Sequence, residues 1–232
     1  MNLRLTLFLL VFLSGLSAAN AQAPDPKAKA ILDEVSKKAR SFTSIKANFE
    51  MIFEGDDKQK KTEKGEIVLK DKKYKISLKQ KGKDKQGKAK DFVEEYISDT
   101  KSSWNYSEKQ NEVTIDCAKA TTKEGFAISD IFVIHEKGYN YTFDKEEKRN
   151  GTDVQVFTLT PQKPEGKKVQ KVTLVIDKAK KQVVSLTLYS GGNKTTYNIK
   201  SMKTNEEVPD SVFSFDVKTH PGVKVVDLRE DC

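Results

Sequence analysis

The side chains that could perform chemistry are few in this sequence, and they do not group. His135 and His220 are the two histidines, and they lack the i, i+4 spacing that places two metal-binding imidazoles on one helix face. Adjacent acids that could act together include three pairs, Asp56-Asp57, Glu94-Glu95 and Glu146-Glu147. Glu94 and Glu95 would face opposite sides of a strand, and the other two pairs are predicted to lie in turns. None of the three pairs is therefore expected to form a catalytic dyad.

Motifs of the common enzyme classes are also missing. The sequence contains no Gly-x-Ser-x-Gly nucleophile elbow, no phosphate-binding loop and no dinucleotide-binding glycine pattern. These observations predict a protein that is not an enzyme and that holds no cofactor or metal.

Two cysteines, Cys117 and Cys232, offer a possible disulfide. In an oxidising compartment they could pair and tie down the C-terminal tail. Sequence does not supply the geometry that a disulfide demands, so paired and free cysteines both stay open here.

The first residues have the pattern of a secretory signal peptide. Arg4 precedes an apolar run from Leu5 to Leu16, and Ala19-Asn20-Ala21 follows as a cleavage site. The sequence predicts residues 1–21 as a signal peptide cleaved near Ala21, with an exported, soluble chain after it; a retained anchor is the alternative. The net charge of +8 favours anionic partners, and export argues against nucleic acid.

One amphipathic helix is predicted at the start of the exported chain. Asp25 is a good N-cap, and Pro26 suits the first helical position. Apolar residues then recur at steps of three and four, at Ala28, Ile31, Leu32, Val35, Ala39 and Phe42. This stripe must cover another apolar surface.

Most of the remaining chain alternates between apolar and polar residues, which is typical of strands in an antiparallel barrel or sandwich. Trp104 and Tyr106, two residues apart, should share one face of a hairpin that turns at Ser98–Lys101. The predicted strands are 45–53, 65–70, 73–80, 91–97, 102–106, 112–117, 154–161, 169–176, 182–189 and 195–201, with another beginning near Tyr139.

Two segments interrupt the alternation. Lys79–Lys90 is nearly all polar and is predicted to be a mobile loop, with electrostatic contact to a membrane or an acidic partner as the functional alternative. Phe126, Ile128, Ile131, Phe132 and Ile134 have the spacing of a short helix or buried loop, which makes this segment a candidate lid. The apolar strand faces are compatible with either a ligand cavity or a packed core.

Residues 22–232 resemble the LolA family of periplasmic outer-membrane lipoprotein carrier proteins over essentially their whole length. The matching pieces come in the family's order, and together with the signal peptide they carry the resemblance. They are Ser44–Phe49, Gly65-Glu66-Ile67, Ser98-Asp99 with Trp104-Asn105-Tyr106, Phe157–Pro161, Tyr197–Ser201, Phe213-Ser214-Phe215 and Pro221-Gly222-Val223.

The resemblance implies a single, mainly β domain with a helical lid. Its fold would be a half-open antiparallel β-barrel of about eleven strands, covered by the N-terminal helix and the mid-chain segment. The implied function is a periplasmic chaperone that carries lipoprotein acyl chains from the inner to the outer membrane. Its partners would be lipoproteins, an inner-membrane lipoprotein-releasing ABC transporter and an outer-membrane acceptor. The protein is expected to be a monomer.

The residues expected to line the acyl-binding cavity come from the helix, four strands and the lid. They are Ile31, Leu32, Val35, Ala47, Phe49, Met51, Phe53, Ile67, Leu69, Tyr74, Ile76, Leu78, Trp104, Tyr106, Phe126, Ile128, Ile131 and Phe132.

Two positions depart from the family pattern: Asp71 stands where an arginine that governs the lid is expected, and Thr100 replaces a turn glycine. A carrier of another envelope lipid and an RseB-like lipoprotein-sensing domain therefore stay open. So does a different class of protein, an envelope interaction scaffold with a packed core.

Overall fold

A computed structural model describes residues 25–118 and 132–229. One α-helix, α1 (Pro26–Arg40), precedes the sheet, and short 3-10 helices lie at Ile134–Glu136, Asp210–Phe213 and Val217–Thr219. The strands are β1 (Ile45–Glu54), β2 (Lys60–Lys70), β3 (Lys73–Lys83), β4 (Ala89–Ser98), β5 (Ser102–Ser107), β6 (Glu112–Cys117), β7 (Tyr139–Arg149), β8 (Thr152–Pro161), β9 (Lys171–Asp177), β10 (Gln182–Ser190), β11 (Asn193–Thr204) and β12 (Lys224–Asp227).

All twelve strands form one open sheet in the order β12-β6-β5-β4-β3-β2-β1-β11-β10-β9-β8-β7. Neighbouring strands are antiparallel except β12, which pairs in parallel with β6. The predicted mainly β, half-open architecture is thereby confirmed. The strand that raises the expected number from eleven to twelve is β12, which the sequence did not predict.

The N-terminus of α1 is fixed to the sheet by a single carboxylate. Asp25 Oδ1 accepts hydrogen bonds from the backbone N–H groups of Lys27 (2.9 Å) and Ala28 (3.2 Å), which caps the helix as predicted. Asp25 Oδ2 accepts a third bond, 3.0 Å long, from the backbone N–H of Phe143 on β7. These bonds, that from Phe143 foremost, lower the pKa of Asp25, so the ionised carboxylate joins the helix to the edge strand.

The hairpin turns follow the predicted turn chemistry. Asn150 and Gly151 have φ of 48° and 81°, the left-handed pair that suits a two-residue hairpin between β7 and β8. Thr100 adopts φ of 83°, at a cost that a glycine would avoid. Asp99 stabilises this turn, because its Oδ1 accepts from the backbone N–H groups of Lys101 (2.8 Å) and Ser102 (2.7 Å).

The main core lies between α1 and one face of strands β7–β10. Leu32 and Val35 of the helix are 1% and 2% exposed, and they pack with side chains such as Phe157, Leu174 and Leu186. We call this helix-covered side of the sheet the inner face. Within residues 25–118 and 132–229, no helix has the length and apolar content needed to cross a membrane.

Two local predictions are wrong. Lys79–Lys90 is not a long loop: β3 extends to Lys83 and β4 starts at Ala89, joined by a turn in which Asp84 Oδ1 accepts from two backbone N–H groups. Cross-strand backbone pairing holds these polar residues in the sheet. The pair Glu146-Glu147 lies within β7 rather than in a turn.

Candidate functional site

The inner face of β1, β2 and β3 carries an apolar patch that α1 does not cover. Ala47, Ile67 and Ile76 are aligned across the three strands by the register, so their side chains share this face. This patch lies on the same side of the sheet as the face that α1 covers. Met51 is aligned with Tyr197 of β11, and Tyr197 is aligned with the core residue Leu186 of β10, so the three side chains point to one side.

Burial differs sharply between the two halves of this face. Under α1 the aliphatic side chains of β8–β10 are almost fully buried, whereas on β1–β3 buried side chains such as Ala47 and Phe49 are mixed with half-buried ones. The half-buried members are Met51, Ile67, Tyr74, Ile76 and Leu78, and Phe53 is exposed. We call this set the inner patch. Apolar side chains left in this condition retain free energy that a ligand could gain by covering them.

A glycine shapes the middle of the inner patch. Gly65 lies between Phe49 and Leu78 in the cross-strand register, and the Phe49 ring occupies the space that a side chain would need. A Cβ at Gly65 would stand 2.4 Å from Phe49 Cζ and 2.9 Å from Leu78 Cδ2. The ring also packs at 5.9 Å against Tyr197, so Phe49 forms a fixed floor at 6% exposure.

A second buried cluster connects the inner patch to the core under α1. Ile45, Ala47 and Leu69 are buried there, and Ile67 and Tyr74 pack against them. Phe132 contacts both this cluster and the main core. The apolar surface is therefore continuous from the helix to β3.

Among the described residues, a small cavity lies at this junction. It measures about 10 Å³ and is lined by residues that include Val35 and Ala39 of α1, Phe42, Phe132 and Met202. This volume is the size of one water molecule. An acyl chain could fit into this cavity only if the helix or Phe132 moved.

One charged pair lies at the end of the inner patch. The side chain of Glu63 is 4% exposed, lies opposite Met51 in the register and contacts the ammonium group of Lys61. Ion pairing of this kind is what permits a carboxylate to be buried beside apolar side chains.

A polar cluster joins α1 to the segment that follows residue 131. His135 Nε2 lies 3.5 Å from Ser36 Oγ and 3.6 Å from Asp33 Oδ1, and Arg40 pairs with Glu136. Burial lowers the pKa of His135, so the imidazole is neutral near neutral pH. Serine and aspartate approach the same ring nitrogen, whereas a catalytic triad needs them on opposite nitrogens. The cluster therefore connects two elements and does not constitute a hydrolase site.

The register separates Trp104 and Tyr106 from the other predicted lining residues. Trp104 is aligned with Ile97 and Lys75, and this row lies on the outer face, opposite Ala47. The C-terminal tail covers Tyr106 there, with the Phe215 ring at 5.0 Å. The prediction that these two residues share a cavity wall with Ala47 is wrong, because alternation alone did not fix which face they occupy.

Several predictions involve residues outside the described ranges. Phe126, Ile128 and Ile131 lie there, so the predicted lid is represented in the structure by Phe132 and the following 3-10 helix. Cys117 is disulfide-bonded, and Cys232 also lies outside the described residues. The pairing of Cys117 with Cys232 stays a prediction.

Sequence reasoning missed the contribution of β11. Ile199 and Met202 pack against the cluster of Ile45, Ala47 and Leu69, because β11 pairs directly with β1. The alternation in residues 195–201 indicated a strand but not its neighbour. No group of three or more potential metal ligands occurs within the parts of the chain that the structure describes.

Comparison with known proteins decides the family. A family model described as outer membrane lipoprotein carrier protein LolA matches residues 40–216. The chain belongs to the LolA family. The sequence has no significant match among curated proteins.

Solved structures are similar to this LolA-family chain at low sequence identity. LprF from Mycobacterium bovis is 12% identical with a TM-score of 0.50, covering 80% of this chain and 96% of its own. A LolA-superfamily protein from Nitrosomonas europaea is 12% identical with a TM-score of 0.41, covering 82% and 98%. The lipoprotein LppX from Mycobacterium tuberculosis is 14% identical with a TM-score of 0.41, covering 78% and 98%.

Proposed function

We propose that this protein is a periplasmic carrier that binds the acyl chains of lipoproteins on its inner face and carries them from the inner to the outer membrane. The observation that carries the proposal is the half-buried inner patch, which adjoins the helix-covered core in a chain of the LolA family. The role is one of binding and release, without catalysis.

The inner patch has the chemistry that an acyl chain requires. Ile67, Ile76 and Leu78 present aliphatic carbon on one side of adjacent strands. Each methylene of a ligand buried against such a surface contributes about 0.8 kcal/mol. A lipoprotein anchor that must cross water would gain from this cover in proportion to the methylenes that it buries.

Release requires that affinity be limited, and the small cavity under α1 supports this part of the proposal. Since an acyl chain needs far more room than about 10 Å³, part of the binding energy would be used to move α1 or Phe132 away from the sheet. A closed empty state then competes with the cargo and permits transfer to an acceptor.

The proposed lining keeps most of the residues predicted from sequence. Ile31, Leu32 and Val35 would form the roof, and the remaining predicted residues of β1–β3 the floor, with Trp104 and Tyr106 left out. The proposed setting is an exported, single domain of residues 22–232 after cleavage near Ala21. It would receive cargo from an inner-membrane ABC transporter and deliver it to an outer-membrane acceptor.

A matched pair of variants tests the inner patch. Ile76→Asn places an amide on the inner face, and Ser77→Asn places the same amide one residue later on the outer face. Binding of an environment-sensitive fluorescent fatty acid, and its displacement by a triacylated peptide, should be weakened by Ile76→Asn and retained by Ser77→Asn. Absence of saturable binding by the parent, or equal effects of the two variants, would support the packed scaffold instead.

A further inference from the structure

The outer face of β2 and β3 carries five lysines at one end of the sheet. Lys60 and Lys64 lie on β2, and Lys79, Lys81 and Lys83 lie on β3. Lys64 is aligned with Lys79 across the strands, so the two side chains share a face, and strand alternation puts the other three on the same side. We call these five residues the lysine face.

The side chains of the lysine face are exposed, and they form no ion pair with any residue in 25–118 or 132–229. Lysines farther along the same outer face behave differently. Lys75 pairs with Glu95 at 2.8 Å, and Lys73 with Asp210 at 2.7 Å. The five ammonium groups of the lysine face are therefore outside ion-pair distance of the acids in the described chain.

Neighbouring acids of the outer face are mostly engaged elsewhere. Glu50 and Glu54 lie opposite Lys64 and Lys60 in the register, but Glu50 is paired with Lys200 at 3.0 Å and Glu54 with Lys194 at 3.2 Å. Asp91 lies opposite Lys81 in the register and is the acid left nearest to the lysine face. Like charges directly opposite each other in a sheet, as Lys64 and Lys79 are, destabilise the strand pair. An anionic surface brought against this face would relieve that repulsion.

We propose that the lysine face docks the protein on an anionic lipid bilayer. Alternate residues of a strand are about 6.8 Å apart, so Lys79, Lys81 and Lys83 form an extended row and do not converge on one point. A row of ammonium groups fits a plane of many anionic headgroups better than a single anion, and the planar, bidentate recognition typical of arginine is absent from the five positions. The choice of a bilayer over an acidic protein rests on the proposed carrier function.

Binding to vesicles tests the proposal. The variant Lys64→Gln/Lys79→Gln/Lys81→Gln removes three charges from the lysine face. The control Lys163→Gln/Lys167→Gln/Lys168→Gln removes three exposed charges from the loop that follows β8. Co-sedimentation would use phosphatidylcholine vesicles with and without phosphatidylglycerol, at low and high salt.

The parent should bind the phosphatidylglycerol vesicles, and added salt should weaken this binding. The lysine-face variant should bind them on the order of 100-fold more weakly, since each of the three lysines near an anionic surface contributes about a fivefold factor. The control should bind nearly as the parent does. Thermal unfolding should show the lysine-face variant at least as stable as the parent, because a like-charge pair is removed.

Parent-like vesicle binding by the lysine-face variant would overturn the proposal and leave this face to an acidic protein. An equal loss in the control would overturn it too, because net charge and not this face would then explain binding. Soluble fatty-acid binding, measured on the same variants, reports the carrier function separately. Failure of docking and failure of acyl binding are therefore distinguishable.

Discussion

The packing of Phe49 over Gly65 makes a quantitative prediction for Gly65→Ala. The new Cβ would stand 2.4 Å from Phe49 Cζ and 2.8 Å from Phe49 Cε2, so the ring must leave its place between Leu78 and Tyr197. Overpacking of this kind costs about 1–3 kcal/mol. Replacing glycine by alanine at an extended position returns about 0.4–1 kcal/mol through the unfolded state.

The net loss expected for Gly65→Ala is therefore about 1–2 kcal/mol. For a chain of this size that corresponds to a Tm lower by about 2–8 °C, measurable by calorimetry. Phe49→Leu should be destabilising alone but should cost less when Gly65 is alanine, because the smaller side chain makes room for the Cβ. A double-mutant cycle should give a coupling of about 0.5–3 kcal/mol. Additive effects, or a Gly65→Ala protein as stable as the parent, would refute the proposed contact.

Other substitutions test the helix and its attachments. Val35→Asp should abolish fatty-acid binding, and Ala30→Asp on the exposed side of α1 should not; equal loss of binding would remove the apolar stripe from the site. Asp25→Ala should lower the urea midpoint at pH 7, and the difference from the parent should shrink toward pH 3, because the lowered pKa of Asp25 means that its stabilisation is lost as the carboxylate becomes protonated. The pKa of His135 is lowered in the folded protein, so as the pH falls below about 6.5 the unfolded chain binds a proton at this position before the folded chain does. The free energy of unfolding therefore decreases over this range. His135→Gln should flatten the decline of the urea midpoint between pH 7 and pH 5, and an unchanged slope would show that this imidazole does not set it.

Local chemistry accounts for the parts of the fold that the sequence predicted well. The Asp25-Pro26 start of α1 and the Asn150-Gly151 turn each depend on a few adjacent residues, and each appears as expected. The pairing of β12 with β6 depends instead on a strand more than a hundred residues earlier in the sequence. The four residues of β12, which begins at Lys224, are too few to show an alternation that would predict this pairing.

The candidate site could be predicted only in part, for a related reason. Alternation in β1 placed Ala47 and Phe49 correctly on one face, but it did not relate that face to the face of Trp104. The register of the intervening hairpins decides this relation, and a shift by one residue would reverse it. The pairing of Lys79–Lys83 with β4 was missed because all but one of these side chains are polar and exposed or half-buried, so no apolar alternation indicates a strand. Cross-strand backbone pairing and the packing of Phe92 against Gly82 hold the strand in place.

Site-specific photo-crosslinking in the protein's own cell envelope tests the central claim most directly. A photoreactive amino acid at position 76 would face the inner patch, and the same amino acid at position 77 would face outward. The adducts would be identified by mass spectrometry. The account predicts acylated lipoprotein peptides attached at position 76 and not at position 77. No acylated adduct at position 76, or equal adducts at both positions, would contradict it.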